Sequence, residues 1–137
     1  NIITASPISD MNPLLLAVGA ILRIRSIDST RDQPIKDFFL GYRRVNLSSS
    51  EVLCDVFLPF TAQWEFLIPF KQARRREDDI SIVTAGIRFK LQPQRDGWMV
   101  EDCCVAFGGM APTSITVPHT ESCLRGRAWG GSVLEEA

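Results

Sequence analysis

The sequence has little histidine and no excess of charge of one sign. His119 is the only histidine, and 15 lysine and arginine residues against 16 aspartate and glutamate residues give a net charge of −1. A protein that binds nucleic acid or a membrane surface through a basic patch needs an excess of positive charge. No apolar run approaches the roughly 18 to 20 residues that span a bilayer. We therefore expect no nucleic-acid partner and no membrane contact.

Several motifs of catalysis and metal binding are absent as well. The cysteines include no Cys-x-x-Cys pair, which argues against a zinc site. There is no Gly-x-Gly-x-x-Gly motif or P-loop, and no nucleophile motif lies near His119, so the chain predicts neither a phosphate cradle of those kinds nor a catalytic triad. We predict no catalytic residue and no metal ligand. We expect reduced core thiols at all four cysteines, which are Cys54, Cys103, Cys104 and Cys123.

The hydrophobic pattern predicts an α+β domain, with strands first and helices after them. At 137 residues the chain is long enough for one core. The predicted strands are Asn1–Ala5, Leu22–Ser26, Glu51–Leu58, Gln63–Phe70, Val83–Leu91 and Trp98–Phe107, the last two joined by a hairpin at Asp96-Gly97. The predicted helices are Met11–Val18, a brief turn within Pro34–Leu40, Pro118–Arg125 and one beginning at the capping box Ser132–Glu135. Asp28–Gln33 reads as a polar turn. The expected architecture is an antiparallel sheet of three to four strands with helices packed on one face.

Six consecutive charged residues, Arg74–Asp79, separate two apolar strands. This run must loop out of the sheet, because unpaired charge is too costly to bury there. We call it the charged loop. Its sign changes from three arginines to three acids, so its net charge is zero. Two interpretations stay open at this point. The loop is either a solvated connector or a charged element at the mouth of an anionic-ligand or redox site.

A second polar group surrounds the start of the first predicted helix. Thr4, Ser6 and Ser9 supply hydroxyls, and Asp10 is well placed to cap the helix. Hydroxyls and backbone N–H groups at such a position suit the oxygens of a polyol or a phosphate. Capping alone accounts for the same residues, so the pattern by itself favours capping over ligand binding.

Three motifs resemble the xanthine dehydrogenase family. Residues 1–13, Asn-Ile-Ile-Thr-Ala-Ser-Pro-Ile-Ser-Asp-Met-Asn-Pro, are similar to its flavin-binding segment. Residues 70–80, Phe-Lys-Gln-Ala-Arg-Arg-Arg-Glu-Asp-Asp-Ile, are similar to its flavin-side loop, and residues 107–112 resemble its Tyr-Gly-Gly-Met-Ala motif. The related aldehyde oxidases typically lack the acidic half of the second motif. Glu77, Asp78 and Asp79 therefore favour xanthine dehydrogenase, with an aldehyde oxidase-type homologue as the alternative.

The resemblance implies a portion of the flavoprotein region of a molybdo-flavoenzyme. Residues 1–20 would end the FAD-binding lobe, and residues 21–137 would form the following lobe, which is similar to the CO dehydrogenase flavoprotein C-terminal domain and is truncated in its last helix. In that family purine is hydroxylated at a molybdenum cofactor, and electrons cross two iron–sulfur clusters to FAD and then NAD or oxygen. Molybdopterin and the 2Fe-2S clusters belong to other parts of the parent enzyme. The implied cofactor-binding residues are Ile3, Thr4, Ser6, Ser9, Asp10, Leu53 and Lys71, with Arg76, Asp78 and Asp79 on the flavin-side loop.

The resemblance also sets expectations for the isolated chain. We expect it to be inactive and to bind FAD weakly, because the upstream half of the flavin lobe is absent. The expected partners are the remaining domains or chains of a homodimeric parent enzyme, with NAD at the flavin. The expected location is the cytoplasm or the peroxisome. A cofactor-free α+β interaction module derived from such an enzyme is the alternative of a different class.

Overall fold

The computed structural model describes residues 1–130 as short strands with a helix near each end. The predicted capping box at Ser132–Glu135 lies outside these residues. A 3₁₀ turn spans Ile35–Asp37. The helices are α1 (Asn12–Val18) and α2 (Pro118–Leu124), and the strands are β1 (Ile21–Arg25), β2 (Thr30–Pro34), β3 (Phe39–Gly41), β4 (Arg44–Val45), β5 (Val52–Phe57), β6 (Glu65–Gln72), β7 (Val83–Gln94), β8 (Gly97–Gly108) and β9 (Ile115–Thr116).

The strands of the described region pair antiparallel throughout. The largest sheet has four strands in the order β6-β7-β8-β9, a second has the order β2-β1-β5, and β3 pairs with β4. The predicted β7–β8 hairpin is present, but it turns at Arg95 and Asp96, one residue before the predicted Asp96-Gly97 pair, so that Gln94 lies opposite Gly97. The predicted α+β class with an antiparallel sheet is confirmed.

Two apolar clusters form the core. The larger one joins α1 to β1 and the 3₁₀ turn, and Leu22, Ile24 and Phe38 are fully buried there. The smaller one places Val100 and Cys103 of β8 against Leu124 of α2. The four thiols are free, as expected, but they are not all in the core. Cys54 is exposed because the outer face of β5 carries no covering layer among the described residues.

Several segments differ from the sequence prediction, and the short strands β3, β4 and β9 were not predicted at all. The predicted strand Asn1–Ala5 is a series of turns, closed by a hydrogen bond from the Ala5 amide to the Ile2 carbonyl and by a left-handed Ala5 with φ of 44°. Residues 30–34, assigned to a polar turn, form β2 instead. Pairing with β1 overrides the low strand propensity of this segment, and the Arg23 guanidinium binds the Asp32 carboxylate across the pair at 2.9 Å.

Helix α1 lies directly on β7 at Gly86. A β-carbon at this position would lie 2.5 Å from the Pro13 carbonyl oxygen and 2.6 Å from the Leu14 α-carbon. The Arg88 guanidinium, two residues further along β7, donates to the Ala17 carbonyl at 2.9 Å. Only glycine permits this approach of helix backbone to strand backbone. The contact sets the position of everything that precedes the helix.

Replacing Gly86 by alanine tests this contact. The new methyl group meets backbone atoms that cannot rotate away, so we expect G86A to lower the free energy of unfolding by about 1 to 3 kcal/mol, the usual cost of overpacking. Gly41→Ala is the matched control, since a β-carbon there meets nothing within 4 Å and its φ is not positive. Urea denaturation measures both variants. Equal stability of G86A and G41A would contradict the close contact.

Candidate functional site

Residues 1–11, which we call the opening segment, are held against α1 and β7 by hydrogen bonds. The Ser9 hydroxyl accepts from the Met11 and Asn12 amides at 3.3 and 3.2 Å, just ahead of α1. The Thr84 hydroxyl donates to the Ser9 carbonyl at 3.2 Å. Asp10, the expected helix cap, does not cap α1: the N-cap residue is Met11, and the Asp10 carboxylate binds Lys71 and Ser81 instead. Ser9 is buried, so it supports the segment from within.

The Gly108-Gly109 pair holds the opening segment from the other side. The Gly109 amide donates to the Pro7 carbonyl at 2.7 Å. Gly109 has a φ of 85°, and a β-carbon there would lie 2.1 Å from the Ile82 carbonyl oxygen. A side chain at Gly109 would therefore separate β8 from the residues that precede β7, and a β-carbon at Gly108 would lie 3.0 Å from the Pro7 carbonyl oxygen of the opening segment. The glycine pair has a packing role that its short motif does not reveal.

Asp10 joins the opening segment to both ends of the charged loop. Its Oδ2 accepts from the Lys71 ammonium at 2.8 Å, and its Oδ1 accepts from the Ser81 hydroxyl. Lys71 lies near the end of β6, before the loop, and Ser81 follows the loop. The Lys71 hydrogen bond, with a smaller contribution from Ser81, lowers the pKa of Asp10 below its usual value. The carboxylate is therefore ionised at neutral pH.

The charged loop is organised by Asp79. The Asp79 carboxylate accepts from the Arg75 amide at 2.8 Å and from its own neighbour, the Ile80 amide, at 2.9 Å. The Arg75 guanidinium lies 3.8 Å from the same carboxylate and donates to the Asp78 carbonyl at 3.3 Å. Asp78 adopts a left-handed φ of 49°, which an aspartate tolerates better than most residues. The loop thus has internal structure, and its Asp78 side chain is exposed.

We call the place where Asp10 binds Lys71 and Ser81 the junction. Two cavities flank it. One of about 280 Å³ lies between the opening segment and the end of the loop, and we call it the junction cavity; its lining residues are Asn1, Ser6, Ile8, Asp10, Asp79, Ile80 and Ser81. The other, of about 310 Å³, is polar and is lined by residues 71–76. The structure therefore brings four of the predicted site residues, Ser6, Asp10, Lys71 and Asp79, to one junction, and it places Arg76 beside Lys71.

The remaining predicted residues lie around the junction or apart from it. Ile3 and Thr4 are exposed on the opening segment, where the Thr4 hydroxyl donates to the Asn1 carbonyl at 3.3 Å. Leu53 lies on β5 and packs against the larger core cluster, as Ile2 also does. Leu53 is not among the residues that line either cavity.

Sequence reasoning missed Ser81 and Gly86. Ser81 is 5% exposed and binds a carboxylate that lies 71 positions earlier in the chain. Gly86 occupies an alternate position of a clear strand and carries no local signal of a helix above it. Neither role is visible in neighbouring residues, because each depends on a partner far away in the sequence.

Models of two protein families match the chain in succession. Residues 1–61 match the FAD binding domain in molybdopterin dehydrogenase, and residues 69–137 match the CO dehydrogenase flavoprotein C-terminal domain. The chain belongs to the CO dehydrogenase flavoprotein C-terminal domain family. The FAD-binding match extends well past residue 20, and the predicted lobe boundary at that residue stays a prediction. The FAD-binding match also argues against the cofactor-free alternative.

Curated relatives point to the same enzymes. Xanthine dehydrogenase 1 of Arabidopsis thaliana is 47% identical over 100% of this chain, and the xanthine dehydrogenase/oxidase of Gallus gallus is 43% identical over the same share. A nicotinate hydroxylase of Emericella nidulans is 45% identical over 98% of the chain. The chain spans about a tenth of the length of these relatives, which are all oxidoreductases. The predicted resemblance to xanthine dehydrogenase and the predicted FAD cofactor are confirmed.

Solved structures share the fold. A carbon monoxide dehydrogenase chain from Hydrogenophaga pseudoflava superposes with a TM-score of 0.88 at 22% identity, covering 98% of this chain and 45% of that one. Quinoline 2-oxidoreductase from Pseudomonas putida 86 gives a TM-score of 0.80 at 23% identity, covering 96% and 44% of the two chains. At this identity the likeness concerns the fold. Within residues 1–130 no helix has the length and apolar composition needed to cross a bilayer.

The residues of the junction fit part of a flavin site. Ile8 and Ile80, which line the junction cavity, expose 39% and 70% of their surface, and apolar surface of this kind suits the face of an aromatic ring system. The Ser6 hydroxyl and the Asp10 carboxylate line the same cavity and supply polar groups that orient a ligand, whereas the Ser81 hydroxyl is engaged by Asp10. Ile3, Thr4 and Ser6 would hold the flavin side of the cofactor, with Lys71 bound to the Asp10 carboxylate at 2.8 Å.

The depressed pKa of Asp10 can be measured directly. Carbon-13 NMR of labelled aspartate should show its carboxyl titrating below 3.8, the usual value. Lys71→Gln should raise this pKa, and Ser81→Ala should raise it less, because Lys71 makes the larger contribution. Since the pKa is lower in the folded than in the unfolded protein, the contacts stabilise the fold above pH 3.8, and this stabilisation is lost as the pH falls through the folded pKa.

Lys36→Gln is the control for this titration, because Lys36 lies on the 3₁₀ turn and is not a cause of the Asp10 shift. A pKa of Asp10 that is the same in K71Q and K36Q would contradict the ion pair.

Proposed function

We propose that the chain forms one side of the FAD site in a xanthine dehydrogenase-like enzyme that hydroxylates xanthine and hypoxanthine. In this proposal electrons leave the flavin for NAD or oxygen. The observation that carries it is the convergence of the opening segment and the charged loop on the Asp10 carboxylate. Residues 1–13 and 70–80, which resemble the flavin motifs of the family, are far apart in the sequence and meet at one cavity.

Each part of the junction has a distinct role in this proposal. FAD, when bound, supplies the chemistry of accepting electrons and passing them on as hydride. Ile3, Thr4 and Ser6 line the flavin and its ribityl chain, and Leu53 packs near the ring system. Lys71 presents a positive charge on the flavin side, balanced by Asp10. These residues bind and orient the cofactor, and none of them takes part in the chemistry.

The charged loop adjusts access to the flavin and its electrostatic surroundings. Asp79 and Arg75 are engaged within the loop, so their charges largely offset each other. Arg76, Glu77 and Asp78 are exposed and carry charges of both signs at its tip. A flavin responds to nearby charge, and so a loop whose tip moves relative to the ring would bias electron transfer between NAD and oxygen.

The purine substrate is supported less directly than the flavin. The acidic residues Glu77, Asp78 and Asp79 favour xanthine dehydrogenase over aldehyde oxidase. The nicotinate hydroxylase relative is as similar as several xanthine dehydrogenases, which indicates that substrate choice depends on other parts of the enzyme. We also propose that the parent enzyme is a homodimer in the cytoplasm or the peroxisome.

Other parts of the parent enzyme are the proposed partners of an exposed apolar surface. The relatives are much longer than this chain. Phe66, Ile68 and Phe70 alternate along β6 and lie on one face, each about half exposed. A row of aromatic and aliphatic side chains of this kind is typical of a surface that contacts another domain.

Changing the charge of the loop tip tests the proposed role in acceptor choice. Reversing both Asp78 and Asp79 to lysine in the full-length enzyme should change the ratio of NAD reduction to oxygen reduction. Asp78→Asn is the sharper variant, since asparagine also tolerates the left-handed backbone and no loop hydrogen bond uses the Asp78 side chain. A unit charge ~10 Å away at an effective dielectric of ~20 is worth about 1.7 kcal/mol, or roughly a tenfold to twentyfold change in ratio.

Asp28→Asn is the control for this experiment, because Asp28 is exposed in the turn between β1 and β2. Initial rates of NADH and hydrogen peroxide formation give the ratio. If the ratio of D78N and of the double reversal matches that of D28N, the loop has no role in acceptor choice.

A further inference from the structure

We propose that Ser81 is a positioning residue, which with Asp10 and Lys71 forms a latch that fixes both ends of the charged loop to the opening segment. The effect of the latch on electron acceptors rests on the proposed function, whereas its effect on the loop does not. Ser81 lies outside the predicted flavin-site residues and is defined by its contact alone. The latch leaves only the tip of the loop free to move.

The two oxygens of one carboxylate serve the two ends of the loop. Oδ2 of Asp10 binds the Lys71 ammonium at 2.8 Å, and Oδ1 binds the Ser81 hydroxyl. Both bonds cross between segments that are distant in sequence, so neither is a local turn contact. Ser81 is 5% exposed, which protects its hydrogen bond from competition by water.

Asp10 is a firm anchor for the latch because its backbone is fixed. The segment before it is tied to β8 by the bond between the Gly109 amide and the Pro7 carbonyl at 2.7 Å. Its neighbour Ser9 is buried and accepts from Thr84 of β7. The Ile82 amide donates to the Gln72 carbonyl at 2.9 Å and closes the base of the loop. The base of the loop is therefore closed by its own backbone hydrogen bond, and the segment to which it is tied is bonded to β7 and β8.

The tip of the loop contrasts with its base. Arg74, Arg76 and Glu77 are exposed, and Asp79 ties only to Arg75 and Ile80 within the loop itself. Motion of the loop is thus confined to the residues between Lys71 and Ser81. The latch defines where the hinges lie and how far the tip can travel from the junction cavity.

The latch is distinct from a direct role of Asp10 at the flavin. A carboxylate has about four acceptor positions, so Asp10 has capacity for a ligand beyond Lys71 and Ser81. Ser81→Ala leaves the Asp10 charge and its Lys71 partner in place and removes only the tie at the far end of the loop. A variant of Ser81 therefore isolates the restraint of the loop from the binding of the cofactor.

Trypsin cleavage of the full-length holoenzyme measures the restraint. The protease cuts after Arg74, Arg75 and Arg76, and mass spectrometry of the resulting peptides gives the rate at these sites. Losing a hydrogen bond to a charged group should raise this rate roughly tenfold in S81A. Ser81→Thr keeps the hydroxyl and should restore the wild-type rate. Ser50→Ala is the control, because that hydroxyl bonds only Ser48 in its own loop.

FAD content and acceptor ratio are measured on the same samples. Faster cleavage in S81A with rescue by S81T supports the latch, and an accompanying, rescued change in acceptor ratio supports its link to function. Faster cleavage with an unchanged ratio supports the latch and counts against the proposed role of the loop. A wild-type cleavage rate in S81A overturns the latch whatever the ratio. If S81A loses FAD, Ser81→Cys, which keeps the side-chain volume but donates weakly, gives the same comparison.

Discussion

The seating of α1 on β7 at Gly86 is the contact on which the site depends. Backbone lies against backbone there, because a β-carbon would come within 2.5 Å of the Pro13 carbonyl oxygen. Hydrogen bonds fasten the contact at both ends, from Thr84 to the Ser9 carbonyl and from Arg88 to the Ala17 carbonyl. Arg88 is held in turn by Glu65 and Asp102, at 2.7 and 2.6 Å. A helix held in this way has no freedom to slide along the sheet, so the opening segment has one position.

This position assigns different roles to acidic residues that look alike in the sequence. Asp10 reaches Lys71 and Ser81 because the opening segment passes over the end of β6. The Asp79 carboxylate accepts from backbone amides of its own loop. Asp79 therefore stabilises the turn and contributes little charge to the surroundings of the loop. Asp78 is left with an exposed side chain. Of the acids in the charged loop, Glu77 and Asp78 are therefore the ones whose charge is available to act on a bound molecule.

Local signals predicted the elements, and distant contacts determined the site. Pro13 and Gly19 marked the ends of α1, and Asp96-Gly97 marked the hairpin, because each acts within a few residues. β2 was missed since its strand character comes from pairing with β1 rather than from its polar residues. The site residues came from the resemblance to a family, because the sequence pattern alone favoured helix capping over ligand binding. Ser81 needed the structure, because its partner lies 71 residues away.

The sheet shows why an apolar stripe does not reveal which face a helix covers. β7 alternates clearly, with Val83, Ala85, Ile87, Phe89 and Leu91 on one face. α1 lies on the other face, against Thr84 and Gly86, where small side chains allow a close approach. The apolar face continues onto β6, where Phe66, Ile68 and Phe70 stay about half exposed. Burying apolar area favours any covering element, but only the face with a gap at Gly86 admits a helix backbone at this distance. The small residues, rather than the hydrophobic ones, therefore set where the opening segment meets the charged loop.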